Sequence, residues 1–166
     1  MKIILCEKLP RILKNKRRLE KILKVKITNR NTEITIQGQP EQEYIAEKVI
    51  EALNFGFPYI NALELADGEN IFEIITIKDH TVRKDLPTIK ARIIGKKGKT
   101  LQTLCQLTKC HFEIKDNTIG IIGGPEHIES AQKAIISIIK GSKQGNVYAH
   151  LEKHQVKDPI DLGIKK

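Results

Sequence analysis

Residues 38–53 read GQPEQEYIAEKVIEAL, and residues 123–138 read GGPEHIESAQKAIISI. The two stretches align without a gap, Pro40 on Pro125, so the chain repeats itself at a spacing of about 85 residues. In each, a proline falls near the start of a helical pattern, where its missing N–H costs nothing. Two copies in 166 residues leave room for two small, similar domains and little else. Whatever fold the chain adopts must therefore be one that about 80 residues can complete.

The second copy gives the element order. "IFEIITI" (71–77) is an Ile-rich strand, and "PTIKARIIG" (87–95) is a short helix with Pro87 in its first turn and Gly95 at its end. "KTLQTLCQLTK" (99–109) sets Leu101, Leu104, Cys105 and Thr108 at helical spacing. "CHFEIKD" and "NTIGIIGG" are two strands around a turn at Asp116-Asn117. Residues 125–141 form a closing helix whose stripe is Ile128, Ala131, Ile135, Ile138 and Ile139. The order is strand, helix, helix, strand, strand, helix. The first copy echoes it with a strand at 2–7, a helix at 16–24, a hairpin at 25–38 and a helix at 40–56. "PYINALELADGEN" (58–70) bridges the copies as a helix and a polar turn, and residues 141–157 start as a loop and turn helical. The boundaries are 1–69 for the first domain, 70–157 for the second and 158–166 for a C-terminal tail.

Charge separates the copies further. Residues 1–30 carry a net +9, residues 31–82 a net −8 and residues 83–115 a net +7. Focused basic blocks attract polyanions, although charge alone describes a solvated surface equally well. No apolar run reaches the ~20 residues of a membrane span, and "MKIILC" is too short for a secretory signal. Three cysteines without framework spacing suit a reducing compartment, so the expectation is a soluble intracellular protein with no membrane partner.

The chemistry concentrates in "RIIGKKGKT", residues 92–100. Gly98-Lys99-Thr100 imitates the end of a nucleotide-binding P-loop. That motif requires a glycine five positions before Gly98, where this chain has Ile93. A dinucleotide fingerprint fails as well, since only Gly95 and Gly98 are present. A Gly-Lys-Lys-Gly turn between two short helices matches the KH module instead, in which such a turn clamps about four nucleotides of a single strand. The glycines let the backbone approach phosphates, and the turn feeds the N-terminus of the next helix, which favours an anion. Bases would lie in an apolar groove between the flanking helices and the second strand. The fold class is thus α+β: two tandem KH-like domains of type I, each a three-stranded sheet packed by helices. The first is degenerate, because "LPRILKNKRR" keeps the cations and lacks both glycines.

Over residues 42–155 the chain resembles the Pno family (partner of Nob, also called Dim), small-subunit ribosome assembly factors of eukaryotes with archaeal relatives. The resemblance rests on "NFGFPYINALEL", "FEIITIKD", "RIIGKKGKT", "IIGGPEHIESAQKAIISIIKGS" and "GNVYAHLEK". It implies two KH-like domains, the first without Gly-x-x-Gly. It implies binding to single-stranded ribosomal RNA near the 3′ end of the small-subunit RNA, within the pre-small-subunit particle. It also implies contact with the PIN-domain (Nob-type) endonuclease that matures that end. Carried over by position, Gly95, Lys96, Lys97 and Gly98 match the RNA-binding turn, Arg92 and Ile94 its approach, and Lys99 and Thr100 its exit. A eukaryotic member would act in nucleus, nucleolus and cytoplasm, and an archaeal one in the cytoplasm. Set against the family, the expectation is that the long N-terminal extension of many eukaryotic members is absent and that the first domain is shorter than usual around residues 10–18.

No catalytic residues are expected, and no cofactor. Cys105, Cys110 and His111 invite a metal, but no second ligand pair has suitable spacing, and buried thiols are the simpler reading. His150 and His154 could share a ligand at i, i+4, yet no third ligand accompanies them. Glu41, Glu43, Glu47 and Glu51 line one helix, as either a solvated face or a docking surface for a basic partner. The alternative to an RNA-holding factor is a protein-interaction scaffold in pre-ribosomes whose RNA contact is incidental.

Overall fold

The computed structural model describes residues 1–154. The end of the second expected domain (155–157) and the expected tail (158–166) lie outside the described residues.

Both copies fold as the repeat demands. The first runs β1 (Lys2–Leu5), α1 (Leu9–Leu13), α2 (Lys16–Leu23), β2 (Lys26–Arg30), β3 (Glu33–Gln37) and α3 (Pro40–Phe55). After α4 (Tyr59–Leu63) and a 3-10 turn, the second runs β4 (Ile71–Thr76), α5 (Leu86–Ile94), α6 (Lys99–Thr108), β5 (His111–Lys115), β6 (Thr118–Gly123) and α7 (Pro125–Ile139), with α8 (Gln144–Lys153) appended. Each sheet is antiparallel with its last strand in the middle, in the orders β1-β3-β2 and β4-β6-β5. The pairing is equivalent: Ile27 lies opposite Ile36 in one sheet and Phe112 opposite Ile121 in the other.

The repeat extends to backbone conformation. Left-handed residues fall at Lys24 and Lys109, where α2 and α6 end, and at Asn31 and Asp116, where the hairpins turn. Both pairs keep the spacing that separates Pro40 from Pro125. Asn and Asp tolerate this region better than most residues, which makes them natural hairpin turns. The copies differ upstream of this point. α1 has 5 residues against 9 in α5, and the α1–α2 bend is Lys14-Asn15 where the second copy has Gly95–Gly98. "LPRILKNKRR" is therefore a one-turn helix, a bend and the start of α2. Its helical turn was too short for periodicity to reveal.

Each sheet buries one face under its own helices. Ile27, Ile34 and Ile36 pack with Leu19, Val49, Ile50 and Leu53, while Phe112, Ile119 and Ile121 pack with Ile89, Leu104, Ile135 and Ile138. The second sheet is covered on its other face too. Ile122 and Phe72 join the first unit's core, where the rings of Phe55, Phe57 and Phe72 lie 5.7–5.9 Å apart. Gly120 makes room for them: a Cβ there would come within 2.9 Å of both Phe55 and Phe57. Arg11 donates to the carbonyls of Gly56 (3.1 Å) and Phe57 (2.9 Å), fixing the strap that carries those rings. At the rim of this junction Lys115 pairs with Glu7 at 3.3 Å and His111 with Glu64. Burial there pushes the Glu113 carboxyl up, against the opposing pull of Lys8 and Arg11.

The acidic helix departs from expectation at one residue. Glu43 is neither solvated nor available to a partner, being only 7 % exposed. It accepts hydrogen bonds from the Met1 amino group (2.8 Å) and the backbone N–H of Gly38 (3.0 Å), and these contacts hold its carboxyl below the usual range. It ties α3 to the ends of β1 and β3.

Candidate nucleic-acid interface

The turn between α5 and α6 is built from both sides. On the α5 side, Ile93 is fully buried in the second core and anchors the helix, which leaves Ile94 to emerge beside the turn, 37 % exposed. The N–H of Gly95 closes α5 by bonding to the Ala91 carbonyl at 2.8 Å. Three of the four residues 95–98 take positive φ: Gly95 at 77°, Lys97 at 57° and Gly98 at 76°. The N–H of Gly98 returns to the Gly95 carbonyl at 3.1 Å, closing a tight turn. α6 begins at once: the N–H of Lys99 bonds back to the Lys96 carbonyl, and no side chain caps the start of the helix. The uncapped helix start and the helix dipole make the place favourable for an anion.

The lysines complete the arrangement. Lys96, Lys97 and Lys99 are exposed, and none forms an ion pair among the described residues. Uncompensated cations on a convex turn are costly only in mutual repulsion, which an anion relieves. A Cβ on Gly98 would meet nothing within 4 Å, so the space above it is open.

Two expected site residues face inward. Arg92 donates through Nη1 to the Ile138 carbonyl (2.9 Å) and through Nη2 to that of Ser142, while Gln144 donates to the Arg92 carbonyl. The guanidinium thus braces α5 against the C-terminal end of α7, a favourable place for a cation. Thr100 is buried against Gly95. Both residues position the turn, whereas Ile94, Gly95, Lys96, Lys97, Gly98 and Lys99 line its surface.

The apolar flank contains residues that the motif did not include. Leu101 and Cys105, one helical turn apart on α6, are half-buried, as is Ile114 on β5. Cys105 lies against the backbone of Phe112 on β5, so α6 faces that strand. The i, i+4 spacing of Leu101 and Cys105 was the available signal.

The other candidates are not brought together into a metal centre: the described residues contain no group of three His, Cys, Asp or Glu able to hold an ion. Cys110 is buried against Gly123, and burial pushes its thiol up to about 11. Burial also raises Cys6 and Cys105. Since only the thiolate reacts, iodoacetamide at about pH 8 is expected to leave Cys110 unmodified in the folded protein while free cysteine reacts. Unfolding in denaturant should expose all three cysteines to labelling, read by mass spectrometry. Rapid native labelling of Cys110 would contradict its burial. His150 and His154 stack at 4.3 Å on the exposed side of α8.

Residues 71–156 match the PNO1 second-KH family model, described as a eukaryotic-type KH domain, KH-domain type I. A KH domain-containing protein of Methanocaldococcus jannaschii is 29% identical over 149 residues, covering 86% of this chain and 66% of that one. The pre-rRNA-processing protein PNO1 of Saccharomyces cerevisiae is 33% identical over 105 residues, 61% of this chain and 38% of that one. Among solved structures, Dim2p of Pyrococcus horikoshii superposes with a TM-score of 0.84 at 28% identity, over 92% of this chain and 98% of the other. The Dim2p chain in a complex of a/eIF2alpha, aDim2p and rRNA from the same organism gives 0.82 at 29% identity, over 92% of each. The chain spans between 38% and 66% of the length of these two curated relatives. With tandem three-stranded units of KH type and a family match across more than half of its residues, the chain belongs to the Pno/Dim family of KH-domain proteins.

Proposed function

We propose that this protein is a non-enzymatic RNA-binding assembly factor of the small ribosomal subunit. It holds single-stranded pre-rRNA near the 3′ end of the small-subunit RNA and presents it to a PIN-domain endonuclease. The observation that carries the reading is the turn itself: three lysines without an ion pair among the described residues, a backbone bent by three positive φ values and an uncapped helix start, all at one place. Phosphates fit this geometry, and bases then fall along Ile94, Leu101, Cys105 and Ile114, which offer contact without a hydrogen-bonding code. The rRNA in the Dim2p complex and the pre-rRNA-processing name of the yeast relative support the choice of RNA.

Within this reading residues 70–157 are the gripping domain and residues 1–69 the domain that supports it. Its place of action follows the particle: nucleus, nucleolus and cytoplasm in a eukaryote, cytoplasm in an archaeon. No described helix is long and apolar enough to cross a membrane.

A titration with a short single-stranded RNA and, separately, with ATP tests the reading at two salt concentrations. RNA is expected to bind and to weaken steeply with salt, by ~0.7 in log–log slope per neutralised phosphate. ATP is expected not to bind, because Ile93 stands where a P-loop needs glycine. Saturable ATP binding at the turn would favour a nucleotide hydrolase, and absence of RNA binding would favour the protein scaffold.

A further inference from the structure

The bend between α1 and α2 in the first unit lies where the second unit has its glycine turn, and it works differently. Lys14 and Asn15 both keep negative φ, so the backbone there does not turn outward. Yet the helix that follows is more basic than α6. Arg17, Arg18 and Lys21 are exposed on α2, on the side away from the buried Leu19 and Leu23, with Lys14 before them and Lys24 after. None of these five cations forms an ion pair among the described residues. The single acid of α2 is turned away from them: Glu20 accepts the backbone N–H of Ile27 at 3.0 Å. Three of the four carboxylates on α3 are engaged elsewhere: Glu43 meets the Met1 amino group, Glu47 meets Lys2 and Glu51 meets Lys48. The first unit is therefore polarised, with one helix acidic and mostly paired and the other basic and open.

We propose that the exposed face of α2 is a second RNA contact, one that takes the phosphate backbone of a base-paired segment. This rests on the reading that the Lys96-Lys97 turn holds a single strand. Charge complementarity selects a polyanion. Two features then select paired over unpaired RNA. No Phe, Tyr or Trp occurs before Tyr44, so α2 itself carries no aromatic ring for an unpaired base, and only the Arg17 and Arg18 guanidinium planes could stack one. A helix face of three cations, with exposed Ile22 (48 %) beside them, can follow the phosphates of a duplex, which is recognised by shape and backbone and not by base edges. The first unit's loss of both glycines then marks a change of task, from clamping a strand to leaning on a stem.

The test uses the full chain and two RNAs: a single strand of about four to six nucleotides, the length one KH clamp covers, and the same strand extending from a stem-loop. The wild type should bind the tailed stem-loop more tightly. Changing Arg17, Arg18 and Lys21 together to Glu should leave the single strand's affinity unchanged and weaken the tailed stem-loop by about tenfold or more, as two-sided charge changes at phosphates do. A second variant with Gln at all three positions, which removes charge without reversing it, should lower the stem-loop's salt slope by up to about 2.7, at ~0.9 per phosphate of a duplex. Unchanged affinity and slope for the stem-loop in both variants would overturn the proposal and leave the face to a protein partner. Equal loss for both RNAs would overturn it also, since the contact would not be separate. The proposed function fails by a different result, namely a wild type that does not bind the single strand.

Discussion

Replacing Lys96 and Lys97 together with Asp is expected to abolish binding of short single-stranded RNA while leaving thermal unfolding where it was. The fold should survive because both side chains are exposed and make no ion pair among the described residues, and surface substitutions of this kind usually cost less than about 0.5 kcal/mol. Position 97 even gains, since its φ of 57° suits Asp better than Lys. Binding should fail because attraction becomes repulsion. A unit-charge contact at about 4 Å is worth ~1 kcal/mol in water, so each reversal swings about 2 kcal/mol before screening by salt. Two such reversals predict a loss of about 100-fold or more. The pair Lys96→Ala and Lys97→Ala should weaken binding less and reduce the salt slope by up to about 1.4, at ~0.7 per phosphate of a single strand. RNA affinity and unfolding temperature measured side by side decide the matter. Near-wild-type affinity in the Asp pair would place the RNA elsewhere and leave the turn a solvated one.

How far the sequence alone reaches depends on whether a signal is periodic or positional. The repeat gave the element order because Pro40 and Pro125, the hairpin turns and the buried isoleucines all recur at one spacing. The covering of the second sheet on both faces was foreshadowed in "TIGIIG", where the consecutive Ile121 and Ile122 are both fully buried. A strand with only one packed face would have alternated. Long-range side-chain bonds left no such trace. Arg92 stands beside the turn in sequence, but the carbonyls of Ile138 and Ser142 that hold it are far along the chain. Glu43 shares its helical spacing with Glu47, and only the fold brings the Met1 amino group and the Gly38 N–H to it. Nor could the sequence distinguish the two glycines of the motif, since both are simply glycine at a turn.

The structure does distinguish them, and the consequence is measurable. Gly95 lies at φ 77° and ψ 174°, a region that only glycine occupies at low cost. It also has no room: a Cβ would fall 2.5 Å from the Cβ of Thr100 and 2.7 Å from its backbone nitrogen, and a backbone atom cannot rotate aside. Gly95→Ala should therefore cost stability on two counts, about 1–3 kcal/mol of backbone strain and a similar amount of overpacking between α5 and α6. At about 2–4 °C per kcal/mol for a chain of this size, the unfolding temperature should fall by about 10 °C. Gly98 lies at φ 76° and ψ 10°, ordinary left-handed backbone, and a Cβ there meets nothing. Ala at position 98 should cost only about 1 kcal/mol, and Asn, which tolerates this region, less still. If RNA uses the open space above Gly98, Gly98→Asn should keep the fold and lose affinity, because its side chain fills the approach of the phosphate. The pair of substitutions then separates two roles within one motif: Gly95 joins the helices, and Gly98 leaves a place for the ligand. An unfolding temperature unchanged by Gly95→Ala would refute the first, and RNA affinity unchanged by Gly98→Asn would refute the second.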